Sequence, residues 1–357
     1  MKNTLIIAIL ALVTSLSLCS CSGIKSIADC PPAATAANGF TSPKLYKAEF
    51  SIMVKNIKRL SPDSLKAYNK RTGVPEDTPP TLMLWCSDFR DITNQRINAD
   101  KTVSPAPNEY FTDKENGNTI LYWNLSDKLN DTADILIKRT FTFYSYNYTA
   151  PFNAQQINDD AKIPEDIFYF YTKAEPWLEQ NTEIIKIANS IAGSEKSTLK
   201  KAQAVFSYVR SKMKYVYPPE KRGALEAIKK YEGDCGQYSA LFITLCRILG
   251  VPARQHSGFA IDDKETLGYH VWSEIYLPGY GWLPVDATSS EGFGHLPNNR
   301  LTASVGMNIP LINVPCWADY SEQEAQGFRT DFMQYMTVVK SGIQADITAE
   351  KIIKEIK

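Results

Sequence analysis

No sign of charge dominates this 357-residue chain, in which 39 Lys and Arg face 39 Asp and Glu. Without residues 1–20 only Lys2 is lost, and 38 basic residues face the same 39 acidic ones. A near-neutral surface argues against nucleic acid as a partner, because phosphate binding needs a basic face. Histidine is scarce, three in all. His256 and His295 are lone, without partners at metal-ligand spacing, so neither a structural zinc nor a catalytic metal is expected. No cofactor is expected either: Gly279-Tyr280-Gly281 is a turn rather than a phosphate loop. Long apolar runs are missing beyond residues 1–20. That one is too short for a convincing membrane span and, with Lys2 ahead of it, has the layout of a secretory signal.

At the end of that run, Leu18-Cys19-Ser20-Cys21 resembles a bacterial lipobox, in which a small residue precedes the lipidated cysteine. Ser20 selects Cys21 as the lipid-bearing N-terminus, and Ser22 after it suits an outer-membrane destination. The expectation is a lipoprotein of the bacterial cell envelope, on the outer membrane or facing the periplasm, with residues 21–44 (Ser-, Ala-, Thr-, Asn- and Pro-rich) as tether. Cys30, Cys86 and Cys316 could form a disulfide in that oxidising compartment, but an odd number and wide spacing leave the pairing open.

Residues 235 to 249 are apolar on nearly every side (Ala240, Leu241, Phe242, Ile243, Leu245, Cys246, Ile248, Leu249), the pattern of a helix buried all round. Cys246 reads as a packing residue within it. Gly250 and Pro252 stop the helix, and Asp234 can cap its start after the pliable Gly233. Cys235 then falls in the first turn, where the helix dipole and the unpaired N–H groups favour a thiolate.

Downstream, His270, Trp272, Glu274 and Tyr276 alternate with Val271, Ser273, Ile275 and Leu277, as in a half-buried strand. Pro278 to Gly281 supply a turn, and 282–286 read as the returning strand. A two-residue turn would put Asp286 opposite Ser273, on the wrong face for His270. A three-residue loop, 278–280, pairs Leu277 with Gly281 and brings Asp286 opposite Trp272, diagonal to His270 on the same face. The expectation is the second register, or a bulge near Pro284 with the same effect.

GDCGQYSALFITLCRILGVPAR, HVWSEIY and GWLPVDAT together resemble the three boxes of the transglutaminase-like superfamily. The resemblance covers roughly residues 176–315. It implies a papain-related fold with Cys235 as nucleophile, His270 as base and Asp286 as the carboxylate that orients it. It also implies an oxyanion donor upstream of the cysteine, for which Tyr215 is the first candidate and Tyr217 the second. Trp272 and Glu274 are expected to shape and support the site. The activity implied is acyl transfer on a peptide or protein substrate, cell-wall peptides included, ending in hydrolysis or crosslinking. A non-catalytic surface module that holds a peptide or glycan is the rival from another class.

The fold class expected is α+β: a transglutaminase-like (papain-related) core preceded by an antiparallel β-sandwich. Residues 45–152 carry short alternating runs broken by turns, the sandwich pattern. Trp85, Tyr122, Trp123, Phe141, Phe143, Tyr144, Tyr146 and Tyr148 either fill its core or line a sugar-binding face. Residues 153–175 read as a connection, and 182–192, 197–213 and 224–231 as amphipathic helices leading to Cys235. Residues 176–315 make the catalytic domain, and 316–357 an extension with a last strand at 332–339 and a short charged helix at 348–357.

Overall fold

The computed structural model describes residues 34–130, 133–151, 157–318 and 329–357. The expectations for the signal, Cys19, Cys21 and Cys30 lie outside the described residues.

The sandwich consists of two antiparallel sheets. In the first, the strands run His295–Leu296, Ile135–Thr149, Phe40–Arg59 and Ile343–Ile356, with two short strands, Gln95–Ile97 and Thr102–Ser104, also pairing with Ile135–Thr149. In the second the order is Thr337–Ser341, Thr81–Ser87, Thr119–Asn124 and Glu109–Thr112. Alternation along Phe40–Arg59 buries Tyr46, Ala48, Phe50, Ile52 and Val54, which meet Leu82, Leu84, Leu121 and Trp123 of the other sheet. Phe141 and Phe143 join that core, while Trp85 and Tyr122 fill a smaller neighbouring cluster. These aromatics are packing residues; of the eight named, Tyr144 alone is exposed.

The strands Phe40–Arg59 and Ile343–Ile356, far apart in sequence, lie side by side in this unit. Residues 348–357 are not a helix: Ile343–Ile356 is a strand, paired from Leu45↔Ile356 to Arg59↔Ile343. Ile352, Ile353 and Ile356 have helical spacing, but the long open edge of Phe40–Arg59 offers a full ladder of backbone hydrogen bonds, and tertiary pairing overrides local propensity. Similarly, the strand expected at 332–339 begins only at Thr337 and lies on the edge of the second sheet. Within 153–175, read as a connection, Glu165–Thr172 forms a helix. Pro62–Thr72 is a further helix that the sequence reading did not place, capped by the Ser61 side chain.

The other half has a four-stranded antiparallel sheet in the order Gly281–Val285, Leu267–Leu277, Ala253–Ile261, Arg300–Val305. The helix Cys235–Ile248 packs on it, flanked by Thr182–Ala192, Thr198–Lys212 and Ala224–Lys230, near the expected bounds. Leu241, Phe242, Ile243, Leu245 and Cys246 of that helix are fully buried with Ile275, Leu277, Leu283 and Val285. The sheet also shares the sandwich core, through Phe259, Ile261, Leu301 and Ala303. Cys86 is buried and Cys316 exposed, both as free thiols.

Candidate active site

Cys235 is the first residue of its helix. Asp234 caps it as the sequence suggests: its Oδ1 accepts from the backbone N–H of Gly236 at 2.9 Å and of Gln237 at 3.3 Å. Gly233 is required by crowding, since a Cβ there would stand 2.4 Å from the Gln237 Cβ. At the other end Gly250, with φ of 76°, terminates the helix in the left-handed conformation.

The hairpin has the expected three-residue loop. Leu277 pairs with Gly281 and Ser273 with Val285, so Asp286 comes next in register beside Trp272. His270 Nε2 lies 2.7 Å from Asp286 Oδ2. With the carboxylate ionised, Nε2–H is the donor, and the ring's other nitrogen is left for Cys235, which is among the groups that raise the basicity of the imidazole. Burial pulls the pKa of His270 down, but Asp286 and Cys235 outweigh it and raise the value to about 9. At neutral pH the imidazole therefore carries a proton.

Asp286 is held from four directions. Besides His270, its Oδ1 accepts from Thr288 N at 3.0 Å and Thr288 Oγ1 at 2.5 Å, and Arg300 Nη2 lies 3.4 Å from Oδ2. Burial alone would raise its pKa; His270, Thr288 and the charge of Arg300 instead hold it well below the usual carboxylate range. Its backbone N–H donates to Gly292 O at 2.8 Å, and a Cβ on Gly292 would come within 2.0 Å of Asp286 O. Arg300 and Gly292 were not found from the sequence. Arg300 comes from a strand with no motif, and only the ladder with Ala253–Ile261 brings it here. Gln334, likewise unforeseen, donates from Nε2 to the carbonyls of His270 and Gly258, each at 3.1 Å.

Tyr215 and Tyr217 separate. Lys214–Tyr215 pairs in parallel with Glu232–Gly233, which sets Tyr215 beside the start of the helix. The Cys235 N–H reaches its phenol oxygen, and the phenol pKa is raised, first by burial and then by Cys235 and Asp234. Tyr217 is 74% exposed and makes no hydrogen bond to the site among the described residues.

The two supporting residues also differ. Trp272 is buried, with ring centroids 6.0 Å from His270 and 5.4 Å from His256. Glu274 is fully buried but does not touch His270. It takes two bonds of 3.1 Å from Arg254, one from Nε and one from Nη2, approaches His256 Nε2 at 2.8 Å and accepts from Thr93 Oγ1 of the sandwich. It ties the sheet to the N-terminal half. His256, read as a lone histidine, is part of this buried network. Three further bonds cross the same boundary: Gln95 Nε2 to Thr302 O at 3.1 Å, Thr302 N to Gln95 Oε1 at 2.6 Å, and Ser145 Oγ to Arg300 O at 3.1 Å.

Residues 185–287 match the family described as the transglutaminase-like superfamily, a span that contains Cys235, His270 and Asp286. A 155-residue stretch is 26% identical to an uncharacterized protein of Haemophilus influenzae; it covers 35% of this chain, and the chain spans 42% of that relative's length. Among solved structures, a putative cysteine protease from Cytophaga hutchinsonii aligns with a TM-score of 0.57 and 15% identity, over 89% of this chain and 92% of its own. The periplasmic domain of TgpA from Pseudomonas aeruginosa aligns at a TM-score of 0.35 and 11% identity, over 64% of this chain and 94% of its own. The chain thus has a transglutaminase-like fold, and the segment matching that superfamily carries the Cys235, His270 and Asp286 cluster.

Proposed function

We propose that the chain is a thiol hydrolase that cleaves a peptide or amide bond through an acyl-enzyme, with Cys235 as nucleophile, His270 as acid and base, and Asp286 as the orienting carboxylate. The observation that carries this reading is the 2.7 Å bond from Asp286 to His270, whose imidazole is in turn perturbed by Cys235 at the first turn of a buried helix. A protonated imidazole next to a cysteine is the partner that a thiolate nucleophile requires. Cys235 Sγ attacks the carbonyl carbon. The oxyanion that forms accepts from the Cys235 N–H and from the Tyr215 hydroxyl, which turns from acceptor to donor when substrate oxygen displaces it. His270 gives its proton to the departing amine, and a thioester is left on Cys235. His270, now neutral, takes a proton from water as it attacks the thioester, and the acid is released. Hydrolysis is favoured over crosslinking because water at ~55 M wins unless a site excludes it and positions an amine.

The substrate in this reading is a peptide or protein of the bacterial envelope, and the chain is held there by lipid on Cys21. Mass spectrometry of protein made with its native leader checks the anchor: an unmodified Cys21 would remove it.

The reaction is tested by incubating wild type and Cys235→Ala with a peptide library that contains glutamine donors and a primary amine. Shortened or deamidated peptides with wild type alone are the expected result. Amine-bearing adducts would make the protein a transferase. No product, together with iodoacetamide labelling of Cys235 as slow as that of buried Cys246, would replace the enzyme with a binding module.

A further inference from the structure

Beside the first turn of the cysteine's helix is a narrow recess. Gly236 and Gln237, which follow Cys235, form part of its wall, and Trp177, Val271 and Phe332 add apolar surface, with Arg222 alongside. Three features give this recess a chemical preference.

The first is a cation with donors to spare. Arg222 is 41% exposed, and its ion pair with Asp234 is one contact of 3.4 Å from Nη1. A guanidinium has five N–H donors in a fork suited to a carboxylate, and the Asp234 carboxylate is already engaged in capping the helix. The second is closeness to the nucleophile. A Cβ at position 236 would stand 2.9 Å from Arg222 Nη1, so the glycine lets the guanidinium lie against the turn that starts at Cys235. The third is a buried acceptor without a donor. Gln237 is 1% exposed; its Nε2 donates to Lys221 O, while its Oε1 has no partner. A buried unpaired carbonyl is costly and is satisfied when a ligand N–H reaches it.

We infer that this recess is the subsite that reads the acyl donor next to the scissile carbonyl, and that Arg222 selects a donor with a carboxylate there while Gln237 Oε1 takes one of its backbone N–H groups. The substrate class is a carboxylate-bearing peptide. The inference rests on the thiol chemistry proposed above.

Iodoacetate and iodoacetamide differ only in carboxylate against carboxamide, and both alkylate thiols. Their rates at Cys235 are measured in the full chain by mass spectrometry, with exposed Cys316 as internal reference, for wild type, Arg222→Gln and Arg222→Lys. The iodoacetate-to-iodoacetamide ratio at Cys235, normalised to Cys316, is expected to fall roughly tenfold in Arg222→Gln, the size of one charge-assisted contact, and to recover in part in Arg222→Lys. Taking the ratio cancels any change in the general reactivity of the thiol, and comparison with wild type cancels the attraction of protonated His270. An equal ratio in wild type and Arg222→Gln overturns the subsite while fast labelling by iodoacetamide still upholds the nucleophile. Slow labelling of wild-type Cys235 by both reagents overturns the nucleophile and the subsite with it.

Discussion

His256 and His270 both stack against Trp272 and both lie beside a buried carboxylate, yet their basicities are shifted in opposite directions. For His256 burial comes first and lowers the pKa; Glu274 pulls it up, but Arg254 and Arg90 oppose that pull. For His270 burial acts the same way, but Asp286 and Cys235 overcome it against the weaker opposition of Arg300. The two arginines differ in reach: Arg254 grips Glu274 through Nε and Nη2 at 3.1 Å, whereas Arg300 touches Asp286 once, at 3.4 Å. At His256 the pull of Glu274 is second only to burial, but two guanidiniums oppose it and burial prevails. At His270 a single guanidinium opposes Asp286, and the imidazole is held protonated. The Glu274 cluster therefore fastens two halves of a fold, and the Asp286 cluster is free for chemistry.

The sharpest way to break this contrast is Asp286→Asn. It should lower kcat by about 10³–10⁴-fold, as expected when the group orienting an imidazole is lost, while a circular dichroism melt shows the protein still folded. Unchanged turnover would remove Asp286 from the mechanism. The matching change, Glu274→Ala, strands Arg254 in the interior and should cost about 3–5 kcal/mol of unfolding free energy in urea titrations. A loss below 1 kcal/mol would mean that this network is not a fastening.

Stability against pH separates the two histidines without changing either carboxylate. His270 keeps its proton in the fold up to about 9 but releases it near 6.5 when unfolded. Its contribution is therefore complete below 6.5 and is lost as the pH rises through 9, an alkaline decline of at most about 3 kcal/mol. The lowered pKa of His256 gives the reverse slope, since the unfolded chain binds the extra proton below 6.5 and stability falls there. Asp286 adds to that acid-side loss, its contribution disappearing as pH drops below the unfolded value of 3.8. Urea unfolding across pH 5 to 10 should show the alkaline decline vanish in His270→Gln and persist in His256→Gln; the converse would reverse the assignment. Above about pH 9 turnover should fall as well, because His270 can no longer protonate the leaving amine.

The smallest effect belongs to Thr288→Val. It deletes the hydroxyl donor to Asp286 Oδ1 but keeps the backbone N–H, and should reduce kcat about tenfold, the worth of one bond to a charged group. No change would show that the backbone bond alone fixes the carboxylate.

Much of the site was legible because its parts are local. Asp234 caps the residues that follow it, and the loop 278–280 sets the face on which Asp286 emerges. The resemblance put Tyr215 ahead of Tyr217, but the contact that sets Tyr215 beside the start of the helix, a two-residue parallel pairing with Glu232–Gly233, is not written in any local spacing. Glu274 shared a face with His270 in the strand pattern, but its partners Arg254, His256 and Thr93 come from other segments, so its role as a fastening was hidden.

By itself the sequence determined where the helix of Cys235 starts and stops, how the hairpin of His270 and Asp286 registers and which face its side chains take, because helical and extended periods and turn length act over a few residues. Only the tertiary structure decided that Arg300 would touch Asp286, that Arg222 would lie against the turn of Cys235, and that 343–356 would be a strand rather than end in a helix. Each of those outcomes depends on an edge, a ladder or a buried charge supplied from a distant part of the chain, and no local period records which distant segment will arrive.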